Sequence, residues 1–116
     1  MNEKNSLATK ETFALAVQNH KKNNFKVAEN LYKKVLKTNP NHFKSIYLLG
    51  SLSIQTKNFI MAIQLLNRAI LIQPKHAATY NNLGAVFKEL GEHEKSITYF
   101  QKAIEIQPNY AEAHNN

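Results

Sequence analysis

Cysteine, tryptophan and aspartate are absent from this 116-residue chain, and arginine occurs once. Without cysteine there is no disulfide framework, no thiolate nucleophile and no thiolate metal ligand. With aspartate missing too, acid–base and nucleophilic chemistry is left to Ser, His and Glu. The histidines (His20, His42, His76, His93, His114) are scattered, and no two lie four apart on one helix face. Their spacing therefore offers no metal site, and no metal or other cofactor is expected. Glycine is scarce and isolated (Gly50, Gly84, Gly91), so no loop can cradle a phosphate. No apolar run exceeds five residues, as in Phe59 to Ile63, far short of the ~20 that span a bilayer. The segment before Leu7 lacks the apolar core of a signal peptide. These absences argue against an enzyme and against a membrane partner. A cytoplasmic setting is the expectation.

What is present is lysine, and it is unevenly placed. The chain carries a net charge of +7. Residues 9–42 hold seven lysines against two glutamates, and residues 43–76 hold four basic residues and no acid. Residues 77–110 hold three lysines against four glutamates. Such asymmetry marks an interaction surface for an acidic partner. Nucleic acid is disfavoured, because base recognition adds exposed aromatics or arginines to the lysines. A basic nucleic-acid or anionic-surface binder is kept as the alternative function.

The chain is also periodic. Pro40, Pro74 and Pro108 stand 34 residues apart, and the residues before each keep one layout. Val35, Ala69 and Ala103 occupy one position, Tyr32, Leu66 and Phe100 another, and Ala28, Ala62 and Ser96 a third. Leu15, Leu49 and Leu83 share a fourth, at which burial is expected. Self-similarity at a fixed period means one supersecondary unit stacked repeatedly. Within each unit, apolar residues recur at helical spacing, as in Ile46, Leu49 and Ser53, then Ile63, Leu66, Ala69 and Ile70. Two antiparallel helices per unit follow, about 43–56 and 59–72 in the second. Asn23-Asn24, Lys57-Asn58 and Gly91-Glu92 fall in the turns. Asn23 and Gly91 suit a left-handed helix end, and Lys57 does not, which predicts a strained or differently shaped turn there. Asn24 and Asn58 are expected to cap the second helix of their pairs. Ala16, Gly50 and Gly84 are small where the paired helices approach.

A 34-residue period with Leu49-Gly50 or Leu83-Gly84 early, Ala62 or Ser96 midway, an aromatic at Phe100 and a closing proline resembles the tetratricopeptide repeat. The resemblance implies an all-α, right-handed superhelical solenoid of antiparallel helix pairs. It divides the chain into an extension (1–8), three repeats (9–42, 43–76, 77–110) and the start of a truncated fourth (111–116). The chain is expected to be an N-terminal fragment of a longer repeat protein, or a truncated variant. An N-terminal repeat region docking a larger enzyme is a further alternative.

The resemblance also implies a function, a non-catalytic protein–protein interaction scaffold binding an extended peptide in its concave groove. Carried over position by position, the groove residues are Lys10, Phe13, Val17, His20 and Lys21, then Lys44, Tyr47, Leu48, Ser51 and Gln55. Asn81, Asn82, Lys88 and Asn116 complete the set, with the Asn82 amide expected to hold peptide backbone. The partner is expected to be a protein or peptide of acidic character. The apolar residues Ile97, Tyr99, Phe100, Ile104 and Ile106 on the last full helix lack a following pair, and weak self-association through that end is expected.

Overall fold

The structure, a computed structural model, describes residues 3–115. Among them are seven helices and no strand. The first pair is α1 (Glu3–Lys21) and α2 (Phe25–Thr38), the second α3 (Phe43–Gln55) and α4 (Phe59–Ile72). The third is α5 (Ala77–Glu89) and α6 (His93–Ile106), followed by the short α7 (Ala111–Asn115). The helix register expected over 43–72 is present to within one residue at the end of α3. Residues 3–8 continue α1 as helix.

Each pair closes through the same turn. Asn23, Lys57 and Gly91 all have positive φ, 63°, 63° and 76°. The following N–H reaches back five residues each time: Asn24 to the carbonyl of Asn19, Asn58 to Ser53, Glu92 to Phe87. That bond is the mark of a Schellman end. Lys57 thus adopts the same shape as its equivalents rather than a different one, and its Cβ carries the strain of the left-handed region. Of the two asparagines expected to cap, Asn58 accepts from the Met61 N–H. The Asn24 side chain makes no cap bond and donates instead to Asn19 Oδ1.

The core follows the small residues. A Cβ on Gly50 would lie 3.0 Å from Leu66, and one on Gly84 would lie 2.6 Å from the Phe100 ring. Ser96 also donates to the Gly84 carbonyl. Paired helices therefore touch where glycine removes the side chain. Successive pairs stack through α2 on α3 and α4 on α5. Helix α3 also packs directly on α5, so the odd helices crowd the inner side and the even helices fan over the outer side.

Stacking decides burial, and here one expectation fails. Leu49 and Leu83 are buried, whereas Leu15 is 50% exposed. Leu49 and Leu83 lie under the second helix of the preceding pair, and the described structure has no such helix before α1. The same face of α1 carries Glu11, Thr12, Gln18 and Asn19, where α3 carries Ser45, Ile46, Leu52 and Ser53. That face is polar because water covers it.

At the other end, α7 is short but effective. Tyr110 and Ala113 pack with Tyr80, Phe100 and Ala103. Phe100 is consequently buried, and of the five apolar residues expected to be uncovered only Ile97 is exposed. Asn116 lies outside the described residues.

Candidate functional site

The inner face of the odd helices is built on aromatic rings and the histidines that follow each proline. His42 and His76 are helix N-caps rather than plain loop residues. The Ser45 N–H donates to His42 Nδ1 at 3.2 Å, which fixes the proton of the neutral ring on Nε2. His76 Nδ1 shares a 2.8 Å hydrogen bond with the Thr79 hydroxyl. Each imidazole stands against the aromatic ring of the preceding odd helix: His42 against Phe13 with centroids 5.0 Å apart, His76 against Tyr47 at 4.8 Å. In the third pair the equivalent residues are Asn81 and Tyr110.

Burial lowers the pKa of His42, and the nearby Lys44 charge lowers it further. Burial alone lowers that of His76. Burial pushes the Tyr110 hydroxyl up to about 12, assisted by the Glu112 carboxylate. The lowered values favour the uncharged rings, as the acceptor role of His42 requires.

Phe43 adds a third ring. It lies parallel to Tyr47 and edge-on to His76, with centroids 6.2 and 5.0 Å away. The three rings line an open recess of about 610 Å³ together with His42, Lys44, Leu48 and Gln73. Residues 43–76 contain no carboxylate, so this segment supplies nothing to neutralise the exposed Lys44 at the rim. The recess can receive an apolar side chain against ring faces, with a negative group beside it.

Other expected groove residues are turned to a different use. Asn82 donates to Ser51 Oγ at 3.0 Å and to Tyr47 Oη at 3.2 Å. Its N–H groups are thus spent on joining α5 to α3 rather than presented to a peptide. His20 does the same one pair earlier, bonded through Nδ1 to Tyr32 Oη and through Nε2 to Gln55 Oε1. Asn81 is buried, with its amide 3.5 Å from Glu112 Oε2, because α7 closes over it. So His20, Ser51, Gln55, Asn81 and Asn82 form rungs between neighbouring pairs.

Lys10, Lys21, Lys44 and Lys88 remain exposed, and Phe13, Val17, Tyr47 and Leu48 are half-buried. Phe43 and Gln73 were not singled out from the sequence. The signal was there, since Phe43 lies four before Tyr47, one helical turn away. The only arginine is used elsewhere, with Arg68 Nη2 donating to the Pro40 carbonyl at 2.7 Å. Among the described residues no group of His, Cys, Asp and Glu could hold a metal ion, and no helix is long and apolar enough to cross a membrane.

A comparison with curated protein sequences returns no match. Solved structures do match. An O-GlcNAc transferase variant from Thermobaculum terrenum is 29% identical with a TM-score of 0.90, over 98% of this chain and 22% of that one. MamA from Desulfovibrio magneticus RS-1 is 25% identical with a TM-score of 0.86, over 91% of this chain and 60% of that one. This chain thus spans about a fifth of the transferase and three fifths of MamA. The first repeat domain of Spaghetti (RPAP3), solved with the HSP90 peptide SRMEEVD, shares the fold at 20% identity and a TM-score of 0.87, over 92% of this chain and 85% of that one. Tetratricopeptide repeat profiles match residues 20–87 and again 77–110. With the 34-residue register, the stacked helix pairs and these matches in agreement, the chain belongs to the tetratricopeptide repeat family.

Proposed function

We propose that this protein is a non-catalytic interaction scaffold that holds an extended, acidic segment of a partner protein on the inner face of α1, α3 and α5. One observation carries the reading. The Phe43, Tyr47 and His76 rings open onto the groove beside Lys44, in a segment with no acid of its own. An apolar side chain buried on those rings gains about 25 cal/mol per Å² removed from water. A carboxylate next to it meets Lys44, which steers encounter and fixes register. Lys10 and Lys21 extend the positive field along α1. The peptide-bound state of the RPAP3 domain is consistent with a groove of this type, at the level of fold. The rungs made by Asn82 and His20 support the reading indirectly, since a groove already braced between pairs loses little on binding.

The test is a titration of isotopically labelled protein with the peptide acetyl-Glu-Glu-Phe-Glu-Glu-amide and with its lysine counterpart. The acidic peptide is expected to shift Tyr47 and His76 resonances and to bind more tightly. Tyr47→Ala combined with Lys44→Glu is expected to weaken it about tenfold or more, the factor that corresponds to ~1.4 kcal/mol. Equal binding of both peptides, or unchanged affinity in the double variant, would remove this site assignment.

A further inference from the structure

The outer face carries a pattern that the groove does not use. Three stripes run side by side, one along each even helix, and their two end positions differ in character from helix to helix. The outward positions of α2 include Lys26 and Lys37, those of α4 include Ile60 and Leu71, and those of α6 include Glu94 and Glu105. These are the same two repeat positions taken three times, 34 residues apart. Between them lie uncharged or basic residues: Asn30 and Lys33 on α2, Gln64 and Asn67 on α4, Thr98 and Gln101 on α6. All are exposed. Ile60 and Leu71 are 75% and 83% exposed, the two most exposed large apolar residues described. The face therefore grades from strongly basic on α2 through apolar on α4 to mixed charge on α6, where exposed Lys95 and Lys102 stand beside the glutamates and Lys102 Nζ lies 3.8 Å from Glu105 Oε2.

We propose that this convex face pairs with a second copy of the chain about a two-fold axis running parallel to α4. That operation lays α4 on α4 of the copy, so Ile60 and Leu71 cover their own counterparts. It also lays α2 opposite α6 of the copy. Since the stripes occupy matching repeat positions, Lys26 comes level with Glu94 of the copy, and Lys37 with Glu105. Each contact occurs twice, as an isologous interface requires.

The charge pattern selects this axis. A two-fold perpendicular to α4 would set the lysines of α2 against those of the copy, and like charges face to face are unfavourable. Curvature fits as well. Two convex faces touch at the centre and gape at the flanks. Here the centre carries compact apolar side chains, and the flanks carry long ones able to reach across.

The stripes also set the strength. Exposed ion pairs contribute little and are screened by salt, and the apolar centre is narrow. The interface belongs with the small, weak class, and the excess positive charge of both copies opposes it. Dimerisation in the tens to hundreds of micromolar range is expected.

Sedimentation velocity of the full chain, from about 10 µM to about 1 mM, tests this. A dimer is expected. Leu71→Glu is expected to weaken it about tenfold or more, since it sets a charge in the apolar centre. Lys37→Glu and Glu105→Lys are each expected to weaken it about threefold or more, and the two together to restore it, because the charges have exchanged places. All three positions face water, and an unchanged helical circular dichroism spectrum shows that the fold is kept. A monomer throughout the range overturns the proposal. So does a dimer indifferent to Leu71→Glu, a dimer abolished by Ile97→Glu instead, or a combined variant weaker than either single one. Peptide binding in the groove is unaffected by any of these outcomes.

Discussion

The His76 ring stands edge-on to Tyr47 with centroids 4.8 Å apart, and the pair Phe13 and His42 repeats the contact in a more tilted form at 5.0 Å. In each case a histidine that caps one odd helix also leans on the aromatic ring of the odd helix before it. A local device for starting a helix has become a contact between neighbouring pairs. It places the imidazoles in partial burial, and partial burial makes them sensitive to pH.

Stability is expected to fall in mild acid for this reason. Both histidines have folded-state pKa values below the ordinary 6.5, His42 through burial and the Lys44 charge, His76 through burial. The fold therefore favours their neutral forms. That contribution is fully present above about pH 6.5 and is lost as pH falls through the lowered folded values. Urea midpoints measured between about pH 8 and about pH 5 should decline on the acid side, and His42→Asn, which keeps a capping acceptor, should flatten part of the decline. An identical pH profile in that variant would show that this cap is not the source.

Gly84→Ala is expected to destabilise by up to about 2 kcal/mol, the overpacking cost less the gain in helix propensity. The added Cβ would sit 2.6 Å from a buried ring that has nowhere to go. Gly50→Ala meets the branched end of Leu66 at 3.0 Å, a less severe approach than 2.6 Å. Its cost should be smaller, and chemical denaturation of the two variants side by side gives the order.

Lys57 is the misplaced residue of the three turns. Lys57→Gly should stabilise by about 0.5–1 kcal/mol, because glycine accepts a positive φ without a Cβ clash. Lys57→Asn should fall between the two, as asparagine tolerates this region better than lysine. A lysine at least as stable as glycine in thermal melts would mean the turn stores no strain.

Leu49→Ala should cost about 2–5 kcal/mol, the range for a buried leucine. Leu15→Ala, at the equivalent repeat position, should cost under about 1 kcal/mol because its side chain already faces water. Similar losses in urea titrations would mean that Leu15 is covered in solution.

The architecture was readable from the chain alone because a repeat writes its structure several times over. One proline, one turn residue and one buried leucine would each be weak signals. Three of each at a common spacing specify helix pairs and their stacking, since backbone preference and side-chain period act locally and identically in every copy. The inner face was legible to the same degree, as positions. Its roles were not. Whether Asn82 presents its N–H groups to a ligand or spends them on Tyr47 and Ser51 depends on how far apart α3 and α5 lie. Whether Leu15 is core or surface depends on what stacks before α1. Whether Phe100 is uncovered depends on a helix as short as α7. Each of these is settled by contacts between neighbouring units, and such contacts act through space between residues about 30 apart in sequence, beyond the reach of any local pattern.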